Sequence, residues 1–185
     1  MAQLPFNMRG YLFRKGLSDI RRAYDETILA LESNRVKLEN DLSNFERALS
    51  AGETGAWEYD EDGELLYSRE RMHELLIEDA LSTIAVAREA YVVILHHYWE
   101  KCCNEWMQVK RYQFDKAYKH LQAHGLSVDL SNLETLRTTC NTIKHGKQRS
   151  NLDADHIDRM FEAVKKSGIQ TDWSEDDADL PQSRL

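Results

Sequence analysis

The chain has 185 residues and a mass of 21.6 kDa, the size of one globular domain with short appendages. It is 42% hydrophobic and 30% charged, enough apolar material for a packed core. The net charge of −8, from 32 acids and 24 bases, excludes a protein that binds nucleic acid over its whole surface.

Residues 1–17 read as an N-terminal arm, and a single helical domain is expected over residues 18–168. Ser18 to Ser50 reads as one long helix, with Ser18 as N-cap and Gly52 beyond its end. Its apolar residues Ile20, Tyr24, Ile28, Leu31, Leu38, Leu42, Phe45 and Leu49 recur at steps of three, four and seven, which predicts lengthwise packing on another helix.

The segment 53–67 follows, with six acids and no base. Trp57, Tyr59, Leu65 and Tyr67 alternate about Asp60–Gly63, a pattern that suits a small β-hairpin or an ordered acidic loop.

A second long helix is expected from Ser68 to Val109, with a seam through Ile77, Leu81, Ile84, Tyr91, Leu95, Trp99, Cys102, Trp106 and Val109. Arg88 falls in that stripe, where its stem can pack while its head reaches water or a carboxylate. Two helices this long, joined by one connection, predict an antiparallel hairpin.

Three shorter helices complete the chain. Gln113–His124 stops at Gly125, and Ser131–Lys144 opens on a Ser131–Glu134 capping box and closes on Gly146. Asp153–Lys166 carries Ile157, Met160, Phe161 and Val164 on one face. The fold class is therefore all-α: a long antiparallel hairpin with three shorter helices. The tail 169–185 is acidic and expected to be disordered. Removing the acidic segment and the tail from 171 onward leaves the other 155 residues at +2.

No apolar run approaches the roughly 18–20 residues of a membrane span. The start MAQLPFNMRG is unlike a signal peptide, so a cytoplasmic location is expected. Cys102, Cys103 and Cys140 cannot all pair with one another and lack zinc-type spacing, and no metal or other cofactor is expected. Glu70–His73 forms a single E-x-x-H, without the second copy a di-iron bundle needs. His96 and Glu100 lie one turn apart and could share an ion, as could His97 with a further ligand. Without a longer motif, however, they read as ordinary polar positions on a helix.

The one concentrated basic locus is Leu136–Ser150, where Arg137, Lys144, Lys147 and Arg149 occur with no acid from Arg137 to Ser150. His145 sits among them. An imidazole beside cations can move a proton while the cations steady phosphate charge, which is the equipment of metal-free RNA cleavage. Bases at a helix C-terminus also complement the helix dipole and need no ligand. A basic surrounding could lower the pKa of Cys140.

Two long helices followed by a short one ending in Asn141-Thr-Ile-Lys144-His145-Gly146 resemble the HEPN superfamily. Many of its members are RNases of bacterial toxin–antitoxin, phage-defence and CRISPR systems, and dimerisation brings two copies of an R-x4–6-H motif together. Asn141 and His145 match that motif, Cys140 stands in its Arg position, and Arg137 lies too far upstream. Glu100 loosely matches an acidic position on the second helix. The resemblance implies a catalytic His145 with Asn141 orienting it and Lys144 or Arg137 standing in on phosphate; Lys147 and Arg149 of the basic locus, with Glu100, are the candidate binding residues. It also implies a homodimer.

Because neither Cys nor a displaced Lys reproduces the planar fork of Arg on a phosphate, two outcomes follow. One is a non-catalytic module that binds a basic protein, such as a toxin or nuclease, through its acidic segments. The other is an active metal-independent RNase that takes RNA at residues 137–149 through His145.

Overall fold

The computed structural model describes residues 8–109, 111, 113–123, 128–146 and 152–168. Five helices and one two-stranded sheet occur among them: α1 (Met8–Ser50), β1 (Trp57–Tyr59), β2 (Leu65–Ser68), α2 (Arg69–Met107), α3 (Phe114–Ala123), α4 (Leu130–Lys144) and α5 (Ala154–Lys166). The protein is all-α. No helix among the described residues is long and apolar enough to cross a membrane.

The first helix begins ten residues earlier than the sequence suggested. Phe13 and Leu17, one turn apart, are buried, and their burial carries the helix through Gly10, Gly16 and Ser18 despite the weak helix propensity of glycine. Ser18 is therefore interior to α1 and caps nothing, and the expected N-terminal arm is helical from Met8. The described residues divide into two compact units, one drawn from 8–21, 92–146 and 153–168 and the other from 22–91 with Leu152.

In the first unit the core is built by five helical segments. Trp99 and Leu95 of α2, Phe114 of α3, Leu133 and Leu136 of α4, and Ile157 and Met160 of α5 are all buried. Each such side chain contributes roughly 1.5–3 kcal/mol by leaving water. Phe13 of α1 stacks on Tyr98 at 5.9 Å and meets the edge of Trp106 at 5.1 Å. The N-cap of α4 is Asp129, whose carboxylate accepts from the Asn132 amide at 3.2 Å. The expected capping box on Ser131 does not form, because Leu130 is already helical and Ser131 lies inside the first turn. Asp153 caps α5 through the His156 amide at 2.8 Å. α2 ends on Gln108 at φ 54°, with the Val109 amide donating to the Asn104 carbonyl at 3.1 Å.

The second unit is a helical hairpin closed by the small sheet. Tyr24 meets Tyr91 at 5.4 Å and Phe45 meets His73 at 5.3 Å, so the α1 and α2 segments run antiparallel. Arg88 lies in the seam with its head 3.5 Å from Glu32 and 3.3 Å from the Leu152 carbonyl. The β-hairpin expected near Asp60–Gly63 is present. β1 and β2 pair antiparallel with Glu58 opposite Tyr67, and Asp60 Oδ1 accepts from the Asp62 and Glu64 amides at 3.0 and 2.7 Å. Gly63 adopts φ 81°, a conformation that tolerates few other residues. Arg69 ties the sheet to α2 through Glu58 and Thr54.

Candidate functional site

α4 places the predicted motif residues by simple helical geometry. Leu133, Leu136 and Cys140 recur at three and four and face the core, all buried. Asn141, one position on, is rotated about 100° away and is exposed, as are Lys144 and His145. The His145 amide closes the last turn on the Asn141 carbonyl at 3.1 Å. Gly146 follows at φ 62°, the left-handed residue expected beyond a helix end. Lys147 and Arg149 lie outside the described residues.

Arg137 points elsewhere than a phosphate beside His145 would require. The Arg137 guanidinium lies over the Phe114 ring at 4.4 Å and is 3.7 Å from Glu134. Its Nε is buried with no hydrogen-bond partner. Lys144 lies near the Cys140 thiol. Burial raises the pKa of Cys140, and Glu100 adds to the effect against the opposing pull of Lys144. The basic surroundings therefore do not activate this thiol, contrary to the sequence expectation, since desolvation outweighs them. Cys102, pushed up to about 11 chiefly by burial, and Cys103, raised for the same reason, are equally inert.

The cations of α4 act instead on α2. His96 is 5% exposed and its pKa falls to about 4, first through burial and then through Lys144, His97 and Arg137. It is a neutral imidazole beside two cations, the arrangement the sequence suggested for His145. On α2, His96 Nδ1 and His97 Nδ1 lie 3.9 and 3.4 Å from the same oxygen, Glu100 Oε2. His96 is buried, Glu100 half-buried and His97 exposed. One ligand atom from each of the three lies within 4.8 Å of the other two.

Of the predicted set, the structure therefore brings Arg137, Lys144 and Glu100 into the electrostatic surroundings of one histidine and leaves Asn141 and His145 at the exposed end of α4. Sequence reasoning weighed His96 with Glu100 but did not join His97 to the pair. The signal was the i, i+1, i+4 spacing. On a helix it sets Glu100 about 40° around from His96 and about 60° from His97, between the two rings. The lone E-x-x-H does not assemble into a site, since His73 packs on Phe45. A groove of roughly 570 Å³ in the first unit is lined by Arg14, Leu17, Arg21, Asp158, Phe161 and Lys165. Arg21 is engaged there by Asp158 at 2.6 Å and by the Phe161 ring at 5.1 Å.

Comparison with protein-family models, with curated proteins and with solved structures finds no match.

Proposed function

We propose that the chain is a HEPN-like helical module of a bacterial defence, toxin–antitoxin or immunity system that binds another protein rather than cutting RNA. The observation that carries this reading is Cys140. The residue in the motif's Arg position is fully buried and its thiol is held protonated, so nothing at that position can grip a phosphate. Arg137 does not replace it, being stacked on Phe114 and paired with Glu134.

A protein-binding role is supported by the second unit. Leu29, Val36, Leu81 and Val86 on its helices and Trp57, Tyr59, Leu65 and Leu66 on its sheet are exposed, a concentration of apolar surface of the kind that marks interaction sites. The acidic segment 53–67 gives part of that surface a negative field, which favours a basic protein partner. A homodimer through the helical faces belongs to the same reading.

The deciding experiment incubates the full chain with labelled RNA in EDTA. The expected result is no cleavage, harmless expression and recovery of a basic partner in a salt-sensitive complex. Cleavage that His145→Ala abolishes would overturn the binding role. That second reading, a metal-independent RNase, is favoured by one observation: Asn141, Lys144 and His145 are exposed together at the end of α4.

A further inference from the structure

We propose that His96, His97 and Glu100 form a binding site for a borderline divalent transition-metal ion, with Zn²⁺ as its representative. Two imidazoles and one carboxylate are a donor set suited to such ions, and three protein ligands leave a coordination position open. At the bond lengths of roughly 2.0–2.1 Å typical of zinc with nitrogen and oxygen donors, tetrahedral neighbours stand about 3.4 Å apart. His97 Nδ1 and Glu100 Oε2 already have that spacing, at 3.4 Å, and His96 Nδ1 stands 3.9 Å from the same oxygen, with one ligand atom from each residue within 4.8 Å of the other two. All three ligands sit on one regular stretch of α2, so the helix backbone itself sets their arrangement. One is held in the core, and exposed His97 gives the ion a way in from solvent.

The surrounding charge narrows the class of ion. Arg137 and Lys144 bear on His96 from α4, and a single carboxylate opposes them within the site. That balance works against Mg²⁺ and Ca²⁺, which rely on several oxygen ligands and bind imidazole poorly. It leaves Zn²⁺, Ni²⁺ or Cu²⁺, whose bonds to imidazole nitrogen are strong enough to withstand nearby cations. The ordinary alternative, polar contact of Glu100 with the two imidazoles, requires no metal.

The test uses the full chain, stripped with EDTA and dialysed, and titrated with Zn²⁺ by calorimetry. One equivalent per chain at micromolar or tighter affinity is expected. His97→Ala and Glu100→Gln, neither of which disturbs a buried side chain, should each weaken it at least about tenfold. His120→Ala, in α3, should leave the affinity unchanged. Co²⁺ in place of Zn²⁺ should give visible absorption bands that vanish in both site variants. Absence of stoichiometric binding, binding indifferent to His97→Ala, or a thiolate-to-Co²⁺ charge-transfer band that moves the ion to a cysteine would each overturn the site. RNA cleavage is not a readout here, so the fate of the protein-binding reading is decided separately.

Discussion

The Trp99 indole N–H donates to Ser167 Oγ at 2.8 Å, between two residues that are both completely buried. Ser167 in turn donates to the Val164 carbonyl at 2.7 Å. This one hydroxyl therefore satisfies the largest side chain of the first unit's core and the end of α5 together. Ser167→Ala would leave the indole N–H buried without an acceptor, at a cost of about 1–3 kcal/mol. Chemical denaturation should show the lower midpoint. A double-mutant cycle with Trp99→Phe should then give a coupling of about 0.5 kcal/mol or more, and independent effects would show that the bond contributes nothing.

Gly16 offers a reversal of the usual rule. On an ordinary helix surface Gly→Ala stabilises by about 1 kcal/mol. Here an added methyl group would lie 2.7 Å from Tyr98 Cζ, and the Tyr98 hydroxyl donates to the Phe13 carbonyl at 2.8 Å. Gly16→Ala should therefore lower the melting temperature, since relieving the overlap means moving a ring stacked on Phe13. A gain in stability would show that Tyr98 moves aside freely.

The fold was legible where local periodicity and tertiary burial agree. The seam of α1, the Asp60–Gly63 turn and the left-handed Gly146 are set by short-range chemistry and occur, as does most of the α2 seam, from which Leu81 and Val109 depart by being exposed. The start of α1 was not legible, because Phe13 and Leu17 gain their helical state only through contacts with distant segments, while Gly16 between them and Ser18 after them argue locally for a break. The cap of α4 was misplaced for a related reason: Asp129 and Ser131 are both good caps, and chain direction before the helix decides between them. The candidate site was half legible. Arg137, Lys144 and Glu100 were picked out by charge pattern. That Arg137 and Lys144 bear on His96 depends on how α4 packs against α2, which no spacing within α4 reveals.

The caps give a pH signature. The pKa of Asp129 lies below its usual value because the Asn132 side chain and backbone amide both hydrogen-bond its charged form. A carboxyl depressed in the folded state lends stability that is complete above its unfolded pKa, near 3.8, and is lost as pH falls below that value through the folded one. Asp129→Asn keeps the cap and removes the titration, so its stability should fall less steeply than that of the parent below about pH 4. Asp129→Ala should cost about 1 kcal/mol at neutral pH. Urea midpoints measured from pH 2 to 7 distinguish the two, and parallel curves for parent and Asn variant would remove the electrostatic part of the argument.

Placing an Arg at position 140, where the proposed HEPN-like reading would have one, tests whether the end of α4 lacks only that side chain. Cys140 is packed with Leu133 and Leu136 on the buried face of α4, and Lys144 reaches it from one turn on. An Arg there must either place a charge in the core beside a second cation or push α4 outward. Overpacking alone costs about 1–3 kcal/mol, and an unpaired buried charge adds several more. Cys140→Arg should therefore lose several kcal/mol of stability without gaining RNase activity, whereas Cys140→Ala, which keeps the site apolar, should fold with a smaller loss. Denaturation midpoints read the first effect and cleavage of labelled RNA in EDTA reads the second. A stable Cys140→Arg protein whose new cleavage disappears with His145→Ala would mean that the end of α4 is an intact catalytic frame lacking one side chain. The protein-binding reading would then fail.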